Sequence, residues 1–203
     1  MEERMFNVVT IAREFGAGGA ETGRKVAGLL GWEYLDKEII ERAAEVGHLP
    51  PDRAEAADER SQRWWEKVLR GFQDTGQAMI PPSPLDFDTV QNSTVRVIQQ
   101  AAKVGNCVII GRSSQCVLRH QPHVLHALVY APMEEKIARM KARLPQGTDV
   151  HALLRRIDAE RTHYTQTYYG KDWSDRGLYH ICVNSTLGTD ACAKMIVQTV
   201  HPC

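Results

Sequence analysis

Residues 11–27 read "IAREFGAGGAETGRKVA". An apolar run ends in a cluster of glycines, and the glycines lead into a segment with helical spacing. A phosphate group needs several backbone N–H donors converging on one point, with a helix N-terminus behind them. Glycines allow the tight bend and keep side chains out of the approach. The stretch is therefore expected to form a phosphate-holding loop from Gly16, Ala17, Gly18, Gly19, Ala20, Glu21 and Thr22. The full pattern G-x-x-x-x-G-K-[ST] is not met. Gly19 stands at the lysine and Ala20 at the hydroxyl position, and Thr22 lies two residues on as an alternative hydroxyl. Two other readings stand beside this one. The glycines could form a turn that only packs helix against strand. They could also be a dinucleotide loop, with Asp36 as the ribose-binding acid, but that pattern requires glycine where Glu21 stands.

Outward from the loop, short apolar runs alternate with helical spacings. Strands are expected at Asn7–Ala12, in "WEYL" (32–35), "NCVIIG" (106–111), "HVLHALVY" (123–130) and "YHICVN" (179–184). Helices are expected over 20–30, where Val26, Leu29 and Leu30 share a face and Gly31 is the stop, and from Asp36 as an N-cap. Residues 50–73 read as a charged amphipathic helix with Trp64 and Trp65, followed by a proline-containing loop over 74–86. Further helices are expected over 87–103, 132–143, 150–169 and 188–200. Alternating strands and helices imply crossover connections, and so a three-layer, doubly wound α/β domain on a parallel sheet. Ligands of such sheets sit at the carboxyl ends of the strands. The informative positions are then Arg13–Gly19, Asp36, Gly111–Arg112, Ala131–Pro132 and Asn184–Ser185.

Composition narrows the function classes. The 203 residues suit one sizeable core with a small appended subdomain. Lys+Arg and Asp+Glu are both 25, so no global positive field points to nucleic acid or an anionic membrane. No apolar stretch is long enough to span a bilayer, and the first residues do not read as a secretory signal. Cysteines at 107, 116, 182, 192 and 203 show no CxxC, which fits free thiols in a reducing cytoplasm, with Cys107 and Cys182 as small core residues.

Arg112, just beyond a buried strand, can grip a phosphate bidentately or join a surface ion pair. Asp36 can cap its helix or orient a magnesium-bound water, and the two roles are compatible. In 150–169, Arg155, Asp158, Arg161 and Thr162 fall together at helical spacing. Such a helix can be a cationic lid that closes over a transferring phosphoryl group, or a solvated charged face. Tyr164 and Tyr168 repeat at a spacing that usually faces a core. His120, His123 and His126 enter a strand, where alternation keeps them from sharing one face, so no metal site is assigned to them.

Taken in order, "TIAREFGAGG", "GRKVA", "YLDKEII", "CVIIGRSS", "YAP", "DAERTHYTQTYYGKDW" and "YHICVNST" resemble the cytidylate-kinase-like family of P-loop nucleoside monophosphate kinases. The resemblance spans nearly the whole chain and is weakest over 50–90. It implies one kinase-like domain over 1–203, an acceptor-binding helical insertion over 37–90 and an arginine lid over 144–176. It also implies ATP and Mg2+ and a nucleotide acceptor such as CMP or dCMP; together with the free thiols, the expectation is a cytoplasmic enzyme, with a homodimer as one assembly. Gly16, Gly18 and Gly19 match the family's G-S-G-G loop, so the missing lysine is shared with relatives. Asp36 matches the acid that opens the flap, Arg112 the arginine on the acceptor phosphate, and Asp158 and Arg161 the lid's D-x-x-R. Ala20 stands where relatives often carry arginine and Gln115 where they carry an acid, which bears on cytidylate specificity. The lysine's charge must come from Arg13, Lys25, Lys37, the lid arginines or Lys171. Arg13 is the first choice, because it follows the strand directly. A nucleotide-binding pseudokinase, or a kinase for a non-nucleotide acceptor, remains an alternative. In the latter, the tryptophan-bearing stretch 52–85 could shape a pocket or a dimer interface.

Overall fold

A computed structural model of the chain describes residues 6–36, 40, 59–74 and 87–201. Five strands form one sheet: β1 (Val8–Arg13), β2 (Glu33–Leu35), β3 (Cys107–Ile110), β4 (Val124–Tyr130) and β5 (Ile181–Asn184). Their order is β2-β3-β1-β4-β5, and every pairing is parallel. The helices are α1 (Gly19–Leu30), α2 (Glu59–Asp74), α3 (Phe87–Val104), a single turn α4 (Ser114–Val117), α5 (Met133–Lys141), α6 (Val150–Tyr169) and α7 (Thr189–Val200). The five strands and the longer described helices fall within a few residues of their sequence expectations, while the single turn α4 was not expected. The helix expected from Asp36 lies almost wholly outside the described residues, although the Ile40 amide donates to the Asp36 carbonyl at 3.0 Å. Lys37, Cys203, the start of the 50–73 helix and the 75–86 loop also lie outside them.

The alternation of β1 builds both layers of the core. Val8 packs on the side of Leu35, Ile98, Ile109 and Val124. Val9 and Ile11 pack on the other side, with Val26 and Ala27 of α1 and Ile196 of α7. A parallel sheet covered on both faces needs such continuous apolar runs. Trp64 and Trp65 belong to the first core, both nearly buried, and the Trp64 Nε1–H donates to the Gly105 carbonyl at 2.7 Å. The two indoles are thus spent on packing α2 beneath the sheet, not on a pocket or an exposed interface. Cys107 is buried in the same core, while Cys182 is half-buried beside Ala12, Leu128 and Trp173. No helix among the described residues is long and apolar enough to cross a membrane.

Candidate active site

The carboxyl end of β1 carries two neighbours of opposite charge, and strand alternation sends them apart. The Glu14 amide donates to the Val129 carbonyl at 3.0 Å. Its Oε2 accepts from Lys136 Nζ at 2.9 Å and from the Ala131 amide at 3.2 Å. Phe15 then donates its amide to Asp158 Oδ1 at 2.9 Å. Gly16 and Gly18 take φ of 81° and 76°, which a side chain would strain. A Cβ on Gly16 would meet Leu154, Met140 and Lys136 at 3.1–3.2 Å, so α5 and α6 close against the loop's outer wall. Ala17 is fully buried. The Thr22 amide closes the first helical bond to the Gly18 carbonyl at 2.9 Å, and the amides of Gly19, Ala20 and Glu21 precede it with no helical acceptor.

Thr22, the alternative hydroxyl, faces back on its own helix. It is fully buried, and its Oγ1 donates to the Gly18 carbonyl at 3.1 Å. The Glu21 carboxylate accepts from Thr189 Oγ1 at 2.7 Å and sits 3.2 Å from Lys25 and 3.5 Å from Arg143. The Thr189 hydrogen bond, then Lys25, hold its carboxyl below the usual range. Lys25 also reaches Thr189 Oγ1 and Asp190, each at 2.8 Å, so it is engaged on the α1–α7 surface.

Beside the loop, a cleft of about 280 Å³ opens between the ends of β1 and β3 and the flank of α6. Arg13, Arg112 and Arg161 line it, with Gln115, Tyr164 and Trp173. At the end of β3, Gly111, Arg112 and Ser113 have consecutive φ values of 72°, 54° and 49°. A left-handed conformation costs a non-glycine residue about 1 kcal/mol, so neighbours must hold this turn. Arg112 Nη2 donates to Thr94 Oγ1 of α3 at 3.4 Å, and its guanidinium lies 5.3 Å from the Tyr164 ring centroid. Ser113 Oγ pairs with Thr165 Oγ1 of α6 at 2.8 Å. Both helices therefore brace the arginine that faces the cleft.

Arg161 Nη1 donates to the Arg13 carbonyl and to Asp158 Oδ1, each at 2.8 Å. Burial lowers the Arg161 pKa, and the Asp158 carboxylate opposes that. Burial raises the Asp158 pKa, against the Phe15 amide, Arg161 and Lys136. Asp158 does not line the cleft; it sits behind the loop and ties α6 to it. The glycine loop Gly16–Thr22 does not line the cleft either, and Arg13 is the residue that joins the two. Arg13's pKa is pushed down to about 10, first by burial and then by repulsion from Arg161. Asp36 stands outside the lining, with its carboxylate 3.9 Å from Arg24. Arg155 and Lys171 are exposed and do not line the cleft.

Sequence reasoning passed over Ser113, Thr165, Trp173 and Glu160, and set Tyr164 in a core stripe. Tyr164 instead lines the cleft while Tyr168 is exposed. The signal for Tyr164 was its position one turn beyond Arg161, on the same face. The three histidines separate: His120 is exposed, and His126 is buried with Nδ1 2.7 Å from Thr10 Oγ1 and its ring stacked on His180. Among the described residues no group of three or more His, Cys, Asp or Glu is placed to hold a metal ion.

The family model described as the cytidylate kinase-like family matches residues 8–187. Among solved structures, an uncharacterized protein from Eubacterium ventriosum has a TM-score of 0.70 at 20% identity, covering 97% of this chain and 99% of that one. A shikimate kinase from Acinetobacter baumannii, in complex with shikimate, has a TM-score of 0.50 at 18% identity, covering 97% and 94%. A shikimate kinase from Bacteroides thetaiotaomicron has a TM-score of 0.51 at 11% identity, covering 95% and 97%. At these identities the likeness is one of fold. No curated protein matches the chain.

Proposed function

The chain belongs to the cytidylate kinase-like family, and on that premise we propose that it transfers the γ-phosphoryl group of ATP, with Mg2+, to a nucleoside monophosphate of the CMP or dCMP kind. The observation that carries this reading is the convergence of Arg13, Arg112 and Arg161 on one cleft beside the glycine loop. Three cations in a partly desolvated site call for a multiply charged anion, and aromatic Tyr164 and Trp173 add flat surface for a ring. The residues fit the triphosphate: the α1 amides at Gly19, Ala20 and Glu21 stand without helical acceptors, as a bound phosphate requires. ATP supplies the phosphoryl group, and magnesium neutralises charge on its phosphates. Asp36 is the residue we assign to a magnesium-bound water or to the acceptor.

The chain's own contribution is positioning and charge stabilisation, with little need for a strong base. Arg112 fixes the acceptor phosphate from its braced turn. Arg161 faces the transferring group, and Asp158 positions it. Residues 37–90 serve as the acceptor flap and 144–176 as the lid. An ADP-release assay across nucleoside monophosphates, shikimate and sugars tests the reading. CMP or dCMP is expected to turn over fastest, and Arg112→Ala to raise the acceptor KM on the order of 100-fold. Absence of turnover with every acceptor, in protein that melts cooperatively, would refute it.

A second reading, a nucleotide-binding pseudokinase or a kinase for a non-nucleotide acceptor, draws on Gln115. That side chain is almost fully buried and neutral, and donates to Tyr179 Oη at 3.3 Å, where relatives carry an acid. Turnover of shikimate or a sugar in preference to CMP, or ATP binding with no turnover, favours this reading.

A further inference from the structure

The G-x-x-x-x-G-K pattern, set so that Gly18 and Gly19 take its last two places, puts Arg13 on its first glycine. The chain thus carries two exchanges six residues apart: arginine for glycine at 13, and glycine for lysine at 19. The structure makes them one event. A Cβ on Gly19 would lie 2.3 Å from Arg13 Cβ and 2.9 Å from its Cγ. Those are stem atoms next to the backbone, which cannot swing aside as a side-chain tip can. A Cβ on Gly111 would lie 1.9 Å from Arg13 Nη1 and 3.0 Å from its Cζ. The arginine side chain therefore runs from the first residue of α1 to the end of β3, in a lane that two glycines leave open.

At the far end of that lane, the guanidinium makes no hydrogen bond or ion pair to any described residue, while its backbone carbonyl accepts from Arg161. Burial and the neighbouring Arg161 outweigh the more distant attraction of Asp36 and Asp158, so this cation is a cost to the ligand-free fold. It is offset when an anion arrives.

We propose that Arg13 is the cation that replaces the missing loop lysine, and that it meets the γ-phosphate from the β3 side, across Gly19 and Gly111. This rests on the kinase reading above. The guanidinium forms no covalent bond: the bond from γ-phosphorus to ADP breaks with its electrons left on ADP, and a bond from an acceptor oxygen to phosphorus forms. Because the charge comes from the strand end rather than from α1, a lysine at 19 and an arginine at 13 exclude each other.

The test is a set of four variants measured by calorimetry with ATP and with ADP, by turnover, and by thermal melting. Arg13→Gln is expected to weaken ATP binding about 10- to 100-fold, to weaken ADP binding far less and to leave melting unchanged or raised. Arg13→Lys should recover part of the ATP-over-ADP preference. Gly19→Lys should lose both ATP binding and thermal stability. The double variant Arg13→Gly with Gly19→Lys, which reads G-E-F-G-A-G-K, should bind ATP more tightly than Gly19→Lys alone. If the natural chain binds no ATP, the kinase reading falls and this assignment with it. If the natural chain binds ATP and Arg13→Gln keeps the same ATP-over-ADP ratio, only this assignment is overturned. A double variant no better than Gly19→Lys overturns the mutual exclusion.

Discussion

Arg13 and Glu14 are adjacent, oppositely charged and both partly buried, yet they are treated in opposite ways. Glu14 turns to the α5–α6 side and meets Lys136 and the Ala131 amide, and Lys136 in turn lies 4.0 Å from Asp158. Arg13 turns to the cleft, where its guanidinium has no hydrogen bond or ion pair to a described residue and is attracted by Asp36 and Asp158 only from beyond ion-pair distance. The paired side holds the loop's shape, because Asp158 carries that network on to the Phe15 amide and Arg161. The unpaired side leaves charge in reserve. Of these two neighbours, then, the ion-paired one builds scaffold and the one without an ion pair faces the cleft.

The sharpest break of that contrast is Lys136→Met. Lys136 is only 5% exposed, and its removal leaves the Glu14 carboxylate without its counter-charge, while Asp158 keeps Arg161 at 2.8 Å. Losing one partner of a buried pair costs about 3–5 kcal/mol, read from urea unfolding. Arg13→Gln removes a partly buried charge that makes no ion pair and is expected to change unfolding by less than about 1 kcal/mol, in either direction. Equal losses in the two variants would erase the distinction between the two faces.

The same rule can be sharpened far from the cleft, at His126. Its ring is buried against Thr10 and His180, and its pKa is pushed down to about 4, first by burial and then by the His180 ring. The unfolded chain takes up a proton near the ordinary value of about 6.5, while the folded chain resists until about 4. The stability that neutral His126 permits is therefore complete above about pH 6.5 and is lost progressively as pH falls towards 4. About 3 kcal/mol separates those limits. Urea midpoints collected from pH 7 to pH 4 should show that decline, and His126→Gln should flatten it. A decline that survives the substitution would assign the acid sensitivity elsewhere.

Much of this was legible before any coordinates. Apolar runs bounded by glycine and helical spacing located five strands and the parallel architecture, because a sheet covered on both faces writes its burial directly into the local sequence. Arg13, Arg112 and Arg161 were marked by their places at strand ends and on the lid helix. What periodicity could not give was partnership. Nothing within reach of Gly111 in the sequence indicates that it is glycine because a guanidinium from β1 lies over it, since the two residues are joined only by strand pairing. Asp158 was read with the lid because it shares a turn with Arg161, and its tie to the Phe15 amide is a contact across 143 positions. Thr22 was read as an alternative hydroxyl from spacing alone, and the α1 geometry turns it back on Gly18. Trp64 and Trp65 were legible as apolar but not as members of the central core.

The smallest effect separates the stability of α6 from the roles of the residues it carries. Asp149 caps that helix, its carboxylate accepting from the Ala152 amide at 3.0 Å in an exposed position. Asp149→Ala is expected to cost about 1 kcal/mol of stability. Asp158 and Arg161 lie more than two turns further on and are fixed by the loop through the Phe15 amide and the Arg13 carbonyl, so their geometry does not depend on the cap. The variant should then unfold at slightly lower urea while its turnover and nucleotide affinity match those of the natural chain. If turnover falls in step with stability, α6 reaches the loop by folding and unfolding as a lid, and the paired side of the site is as mobile as the unpaired one.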